Sequence, residues 1–422
     1  MNKQNTLDRN KNMLIYTDNT SSDPEYNYLL DHFFGVSYHY ADDTTVICAT
    51  YAKDNTLFSN KNIYLCGDIG LAYGLLTIVA VPINSSIYVI KDFSTNYDDT
   101  MYSEEYSRVS AGHVPINIHN VGVYFRSVLE PDVDYFDKIK NEHEFQTLTE
   151  STKPNNAFRK GIYLSEVLKN DDELCFNLLR CSANLGGPTD NFRETDKKVI
   201  EKVNIYANNV FSQKSNLNHV LAQIYENSEQ AKAKIKAHSD KTKDMPENGT
   251  MAFCTFYESF YNNQFNDVKH KKLSRSKKDM FDFCYNETSV FTKLYFKLKS
   301  TVNDRTLVND FEITLYPNSV FFIPLSTNRL YTHEIRPSIL PYDVIPTRMG
   351  YVVRCSKTNV VYKDGQTYIK KNDIYTKLGE STKNDMAELR TKYYKENVTD
   401  EFIEYGDVHF SMNMGDYIAP IY

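Results

Sequence analysis

The sequence predicts an α+β protein with a β-sandwich or jelly-roll core, on three observations. Between residues 217 and 356, apolar stretches of strand length follow one another, separated by turn residues, with no helical periodicity between them. One of these stretches alternates cleanly. It places Val290, Leu294, Phe296 and Leu298 on one face and Lys293, Lys297 and Lys299 on the other. The helical patterns lie outside this region: one over 195–210, and one over about 386–396 with Met386, Leu389 and Tyr393 on a single stripe.

In chain order, residues 1–12 are polar. Stretches 44–51, 62–66 and 86–90 are rich in β-branched and aromatic residues. They predict a separate N-terminal β-containing domain over 1–112, with a helix around Asp31 and an acidic, polar linker over 94–112. Alternation returns over 114–129. Val133, Phe136 and Ile139 then fall at helical steps behind acidic first-turn residues. A short strand is expected over 159–164, and a turn-rich loop over 184–193. Further strands are expected over 217–225, 249–257 and 351–355. Residues 311–325, folded at Pro317-Asn318, read as a hairpin. A basic insertion, 258–288, interrupts the strands with Lys269, Lys271, Lys272, Arg275, Lys277 and Lys278. Residues 366–422 form a C-terminal extension.

The 422 residues are 41% hydrophobic and 24% charged, a balance that suits a packed core. The net charge of −7 excludes a generally cationic nucleic-acid coat but leaves room for a local basic groove. Seven cysteines without a C-x-x-C pair argue against a zinc ribbon or disulfide framework. The polar N-terminus lacks a signal-peptide core, and the longest apolar run, 71–83, is too short to span a bilayer. The expectation is an intracellular protein, cytoplasmic or nuclear, not secreted and not membrane-bound. No phosphate-loop, dinucleotide-binding or Gly-x-Ser-x-Gly pattern is present.

The chemistry gathers at His238-Ser-Asp240-Lys241. On a strand, residues two apart face the same side, so His238 and Asp240 can address one ion. Further on come Tyr331-Thr-His333 and two arginines six apart, Arg348 and Arg354. Taken singly, His238 reads as an ordinary histidine, Asp240 as a turn residue and Arg348 as a solvated or paired cation. Taken in order, two imidazoles and a carboxylate suit a non-haem Fe(II) site with open coordination positions.

Here the chain resembles the AlkB-like branch of the Fe(II)/2-oxoglutarate-dependent dioxygenases. The resemblance rests on Gln223-Ile-Tyr225, His238-Ser-Asp240-Lys241, Asn328-Arg329-Leu-Tyr-Thr-His333 and the pair Arg348 and Arg354. It covers 218–356. Gln223 stands where that branch carries asparagine, and the intervals before His238 and before His333 are longer. The resemblance implies a double-stranded β-helix (jelly-roll, cupin-like) core at about 217–356 with flanking helices, inside an oxygenase domain over 113–365. It implies Fe(II) on His238, Asp240 and His333. It implies 2-oxoglutarate on Arg348, Tyr225 and Arg354, with O2 as oxidant. Arg329, Arg159 and Lys241 would lie on the substrate side. The implied reaction couples decarboxylation of 2-oxoglutarate to hydroxylation or oxidative demethylation of a macromolecule. Modified nucleic acid is the first expectation and a protein side chain the alternative. A jelly roll that binds without catalysing is the reading from a different class.

Overall fold

The structure, a computed structural model, describes residues 5–17, 23–53, 57–78, 84–96, 106–149, 156–180, 185–261, 264–265 and 273–422. Its first sheet is wholly parallel. The strands run in the order Val36–His39, Asn12–Tyr16, Asn62–Asp68, Ser86–Thr95, Ser107–Val109. Parallel neighbours need crossover connections, and helices Pro24–His32, Tyr40–Lys53 and Ile69–Ile78 supply them. Successive strand residues therefore bury on both faces. Met13, Ile15, Ile63 and Leu65 pack with Ile47, Ile69 and Leu75 on one side, while Leu14, Tyr64 and Cys66 pack with Tyr26 and Leu29 on the other.

This corrects two expectations. The stretch 44–51 is helical, because a crossover between parallel strands overrides its β-branched composition, and Asp42 and Asp43 fall in the helix's first turn. The supposed linker carries the strand Ser107–Val109, which completes the parallel sheet; residues 97–105 lie outside the described residues. The sheet adjoins the rest of the chain through a buried ion pair, Arg126 Nη1 to Glu25 Oε2 at 2.6 Å.

The remaining sheets are mostly antiparallel, as the sequence predicts. The largest runs Asp190–Asn191, Asn156–Ser165, His219–Tyr225, Arg348–Arg354, Thr250–Tyr257, Ser319–Pro324, Gly122–Phe125, Ile116–Ile118. A four-stranded sheet faces it: Ile235–His238, Tyr331–Ile335, Lys293–Leu298, Asp310–Thr314. Met251, Phe253, Phe321 and Ile323 of the first pack against Leu294, Phe296, Phe311 and Tyr331 of the second, giving a jelly-roll-like sandwich. On the outer face of the large sheet lie helices Tyr135–Glu142 and Glu194–Val210, whose Phe136, Ile139, Val199 and Val203 fill the second core.

The stretch 311–325 is not a hairpin. Asp310–Thr314 belongs to the small sheet and Ser319–Pro324 to the large one, so the turn at Asn318 (φ 59°) carries the chain between layers. The alternation over 293–298 holds, but Lys299 is buried. Its Nζ donates to the Glu396 and Thr399 carbonyls at 2.7 and 3.1 Å, the last turn of helix Lys383–Val398. In the basic insertion, Lys269, Lys271 and Lys272 lie outside the described residues. Its segment 273–288 packs towards the parallel sheet, with Phe281 4.2 Å from the Arg126 guanidinium. Cys48, Cys66, Cys175, Cys254, Cys284 and Cys355 are free thiols. No described helix is long and apolar enough to cross a membrane.

One buried charge cluster has a pH consequence. The His143 ring is clamped between two carboxylates, with Nδ1 2.8 Å from Asp190 Oδ2 and Nε2 2.7 Å from Asp196 Oδ2. Burial lowers this imidazole's affinity for a proton, but the two carboxylates outweigh burial and raise its pKa to about 9. A folded-state pKa above the unfolded value adds stability that is complete below about pH 6.5 and is lost as pH rises through about 9. The urea midpoint of the protein is therefore expected to fall between pH 7 and 9.5, and His143→Gln to flatten that step. An equal fall in the variant would contradict this. Both ring nitrogens are engaged by carboxylates, so the cluster reads as an ion-pair network.

Candidate metal and co-substrate site

Antiparallel register brings the two histidines together. Strand Ile235–His238 pairs with Tyr331–Ile335 so that His238 stands opposite His333, with ring centroids 4.4 Å apart. Asp240, two residues past His238, turns its Oδ1 to 3.7 Å from His238 Nε2. One ligand atom from each of His238, Asp240 and His333 lies within 4.8 Å of the others.

Each ligand is oriented by its surroundings. His238 Nδ1 donates to the Lys236 carbonyl at 2.9 Å, which leaves the Nε2 lone pair free. Arg354 donates to Asp240 Oδ2 from Nη2 at 2.8 Å and from Nε at 3.1 Å, which leaves Oδ1 for an ion. Phe253 meets the His333 ring edge-on at 5.5 Å, and among the described residues no acceptor reaches the buried His333 Nδ1. Burial, reinforced by the His238 ring, lowers the His333 imidazole to about 3. Burial alone would raise the Asp240 carboxyl, but Arg354, then His238, hold it well below the usual carboxylate range. Neutral imidazole and ionised carboxylate are the protonation states that bind Fe(II), so the donor set fits the implied metal.

The triad lies in a cavity of about 790 Å³ whose far wall carries Arg348, at the start of the strand that ends with Arg354. Arg348 is 5% exposed. Among the described residues no carboxylate lies within ion-pair distance of it, and its Nε is buried without an acceptor. The guanidinium lies over the Tyr225 ring at 4.3 Å, and the Tyr225 hydroxyl donates to Gln223 Oε1 at 2.7 Å. A β-carbon on Gly350 would sit 3.0 Å from Arg348 Nη1 and 3.3 Å from the Tyr225 ring, so this glycine makes room for the pair. A buried cation without a partner is costly, and a ligand carboxylate would relieve it with a two-pronged contact.

The structure therefore gathers His238, Asp240, His333, Arg348, Tyr225, Arg354, Arg159 and Lys241 around one cavity. Two of these also make contacts that the sequence did not suggest. Tyr225 supports Arg348 with its ring while its hydroxyl is turned to Gln223. Lys241, expected on the substrate side, donates to the Tyr393 carbonyl at 3.0 Å and to Asn397 Oδ1 at 2.8 Å. Arg329 is not on this cavity at all; it lines another. No described residue of the basic insertion lines the metal cavity.

Three residues have parts in the site that the sequence did not assign. Thr255 puts a buried, unpartnered Oγ1 on the cavity wall, and its two-residue spacing from Phe253 was available as a signal. Asn328 brackets Asp240: its Oδ1 accepts from the Asp240 N–H and its Nδ2 donates to the Asp240 carbonyl, both at 2.9 Å. Asn397, on the C-terminal helix, accepts from the Ser239 N–H at 2.9 Å as well as from Lys241. Nothing local in the sequence ties Asn397 to residues so far upstream. Asn397→Ala is expected to weaken Mn(II) or Fe(II) binding about 10- to 100-fold while the KM for 2-oxoglutarate changes little. Unchanged metal affinity in a titration of the apoprotein would refute that positioning role.

No family model matches the chain, and no curated protein matches it. Among solved structures it is similar to that of OsALKBH1, at 13% identity and a TM-score of 0.31, over 55% of this chain and 97% of the other. It is also similar to a Pseudomonas putida prolyl-4-hydroxylase, at 9% identity and a TM-score of 0.27, over 52% of this chain and 82% of the other. Likeness at this level assigns no family to the chain.

Proposed function

We propose that the protein is an Fe(II)- and 2-oxoglutarate-dependent dioxygenase of double-stranded β-helix fold, acting on a modified nucleic acid. The carrying observation is that a His–Asp–His ligand set and a buried guanidinium with no anionic partner among the described residues share one cavity. When bound, Fe(II) supplies the redox chemistry by which O2 converts 2-oxoglutarate to succinate and carbon dioxide and hydroxylates a C–H bond.

The chain's own residues hold, orient and shield. His238 Nε2, Asp240 Oδ1 and the His333 ring are the ligands, and Arg354 keeps Asp240 turned towards them. Arg348 receives the distal carboxylate of 2-oxoglutarate, with Tyr225 fixing the plane of the guanidinium and Thr255 offering a hydroxyl on the same wall. Phe253, Leu294 and Val352 give the cavity apolar walls that exclude water.

The mouth of the cavity favours a polyanion. Lys234 and Lys236, both exposed, line it together with the partly buried Arg159, with Glu229 as an opposing charge, in a chain whose net charge is −7. Incubation with Fe(II), 2-oxoglutarate and pools of methylated DNA, RNA and peptides tests the reading. Succinate should form together with loss of a methyl-derived carbon, or gain of one oxygen, in a nucleic acid. With about three phosphate contacts on a single strand, a fourfold rise in salt should weaken that substrate's binding about 20-fold. Oxygen gain confined to the peptides would transfer the assignment to protein hydroxylation. Absence of succinate under all conditions would leave a binding module.

A further inference from the structure

A second cavity, of about 890 Å³, begins where the first ends along the chain: Lys241 lines the first and Thr242 the second. Its walls come from 242–247, the short helix Leu325–Leu330, the strand Gln366–Lys371 and the segment 402–409. Several of the neighbouring cations have a carboxylate at hand. Arg180 Nη2 lies 2.7 Å from Asp244 Oδ1, and Lys243 Nζ lies 3.4 Å from Asp244 Oδ2. Lys370 lies by Asp373 and Lys371 by Asp407.

Lys357, also on the wall, is exposed to solvent; Arg329 is not. It is half-buried, and among the described residues its guanidinium meets no carboxylate within 4 Å. Its contact is the Phe402 ring, 5.9 Å from the guanidinium carbon. Glu247 and Glu396 act on it only through space. The apolar part of the lining is Met245, Leu325, Ile369, Phe402 and Ile403, set among polar residues such as Thr358, Asn359 and Asn372. Phe402 is 53% exposed, a large ring left open at the rim.

We propose that this cavity binds a small amphiphilic anion, its carboxylate or phosphate on Arg329 and its apolar body against Phe402, Ile369 and Met245. The volume suits a compact organic ligand. A guanidinium offers either headgroup a two-pronged contact. Glu247, Glu404 and Asp407 on the walls oppose a polyanion and favour a single headgroup. The site requires neither Fe(II) nor 2-oxoglutarate, so it stands or falls apart from the dioxygenase reading.

The chain contains no tryptophan, so Phe402→Trp places one reporter in the cavity. The metal-free, full-length variant would be titrated with decanoate, decyl phosphate and decanol below their micellar concentrations. A saturable emission shift is expected with decanoate, decyl phosphate or both, and the preferred one identifies the headgroup. Arg329→Gln in the same background should weaken it about 10-fold or more. The proposal is overturned if neither anion gives a saturable shift, if decanol binds as tightly, or if Arg329→Gln binds unchanged. Calorimetric titration of the unaltered protein with both anions tests the site without the reporter: heat of saturable binding supports it, and its absence removes it.

Discussion

Arg348→Met is expected to raise the 2-oxoglutarate concentration for half-maximal succinate formation about 100-fold or more, with metal affinity unchanged. The magnitude follows from two charge-assisted hydrogen bonds to one carboxylate, together worth about 3 kcal/mol or more. The direction on stability is the sharper signature. Arg348 is buried, stacked on Tyr225 and without an anionic partner among the described residues. An apolar side chain of similar length removes an uncompensated charge, so the variant should melt no lower than the wild type when co-substrate is absent. 2-Oxoglutarate should then raise the melting temperature of the wild type only. Arg348→Lys should rescue poorly, because an ammonium cannot reproduce a planar fork. If Arg348 served as a structural cation, the methionine variant would instead lose stability whether or not co-substrate is present.

Asp240→Ala and His238→Ala should both abolish metal binding and turnover, but with different effects on the fold. The Asp240 carboxylate takes two hydrogen bonds from a buried Arg354, so removing it takes the facing carboxylate away from a buried guanidinium. Breaking a buried pair in this way costs about 3–5 kcal/mol, visible as a large drop in the urea midpoint. The His238 side chain is about one-third exposed and its Nδ1 serves only the Lys236 carbonyl. Its loss should shift the midpoint little. A His238→Ala variant that unfolds as readily as Asp240→Ala would show that the pair of histidines holds the two strands together and that the metal reading is unnecessary.

The sequence carried the strands of the sandwich and the residues of the site because both depend on short-range spacing. Two-residue periodicity exposes a strand's face, and His238 with Asp240, or Arg348 with Arg354, are legible at fixed offsets. Where tertiary context decides, the sequence was mute or misleading. Residues 44–51 have strand composition but connect parallel strands, so they coil. Residues 311–325 have hairpin composition but pass between layers, because Ser319–Pro324 finds a better partner in Thr250–Tyr257 than in the strand before it. Lys299 and Lys241 look like solvated cations. Each is committed to the C-terminal helix, whose distance along the chain hides the contact. Arg329 sits beside Asn328, which holds Asp240, yet its own side chain points into the other cavity; adjacency in sequence does not assign a side to a helical residue.

The central claim is that His238, Asp240 and His333 form one Fe(II) site. Anaerobic titration of the purified protein with Fe(II), followed by metal analysis after desalting, tests it most directly. Stoichiometric retention of one ion per chain is predicted, lost in His238→Ala while circular dichroism and the melting transition stay in place. No retention by the wild type, or equal retention by the variant, would contradict it.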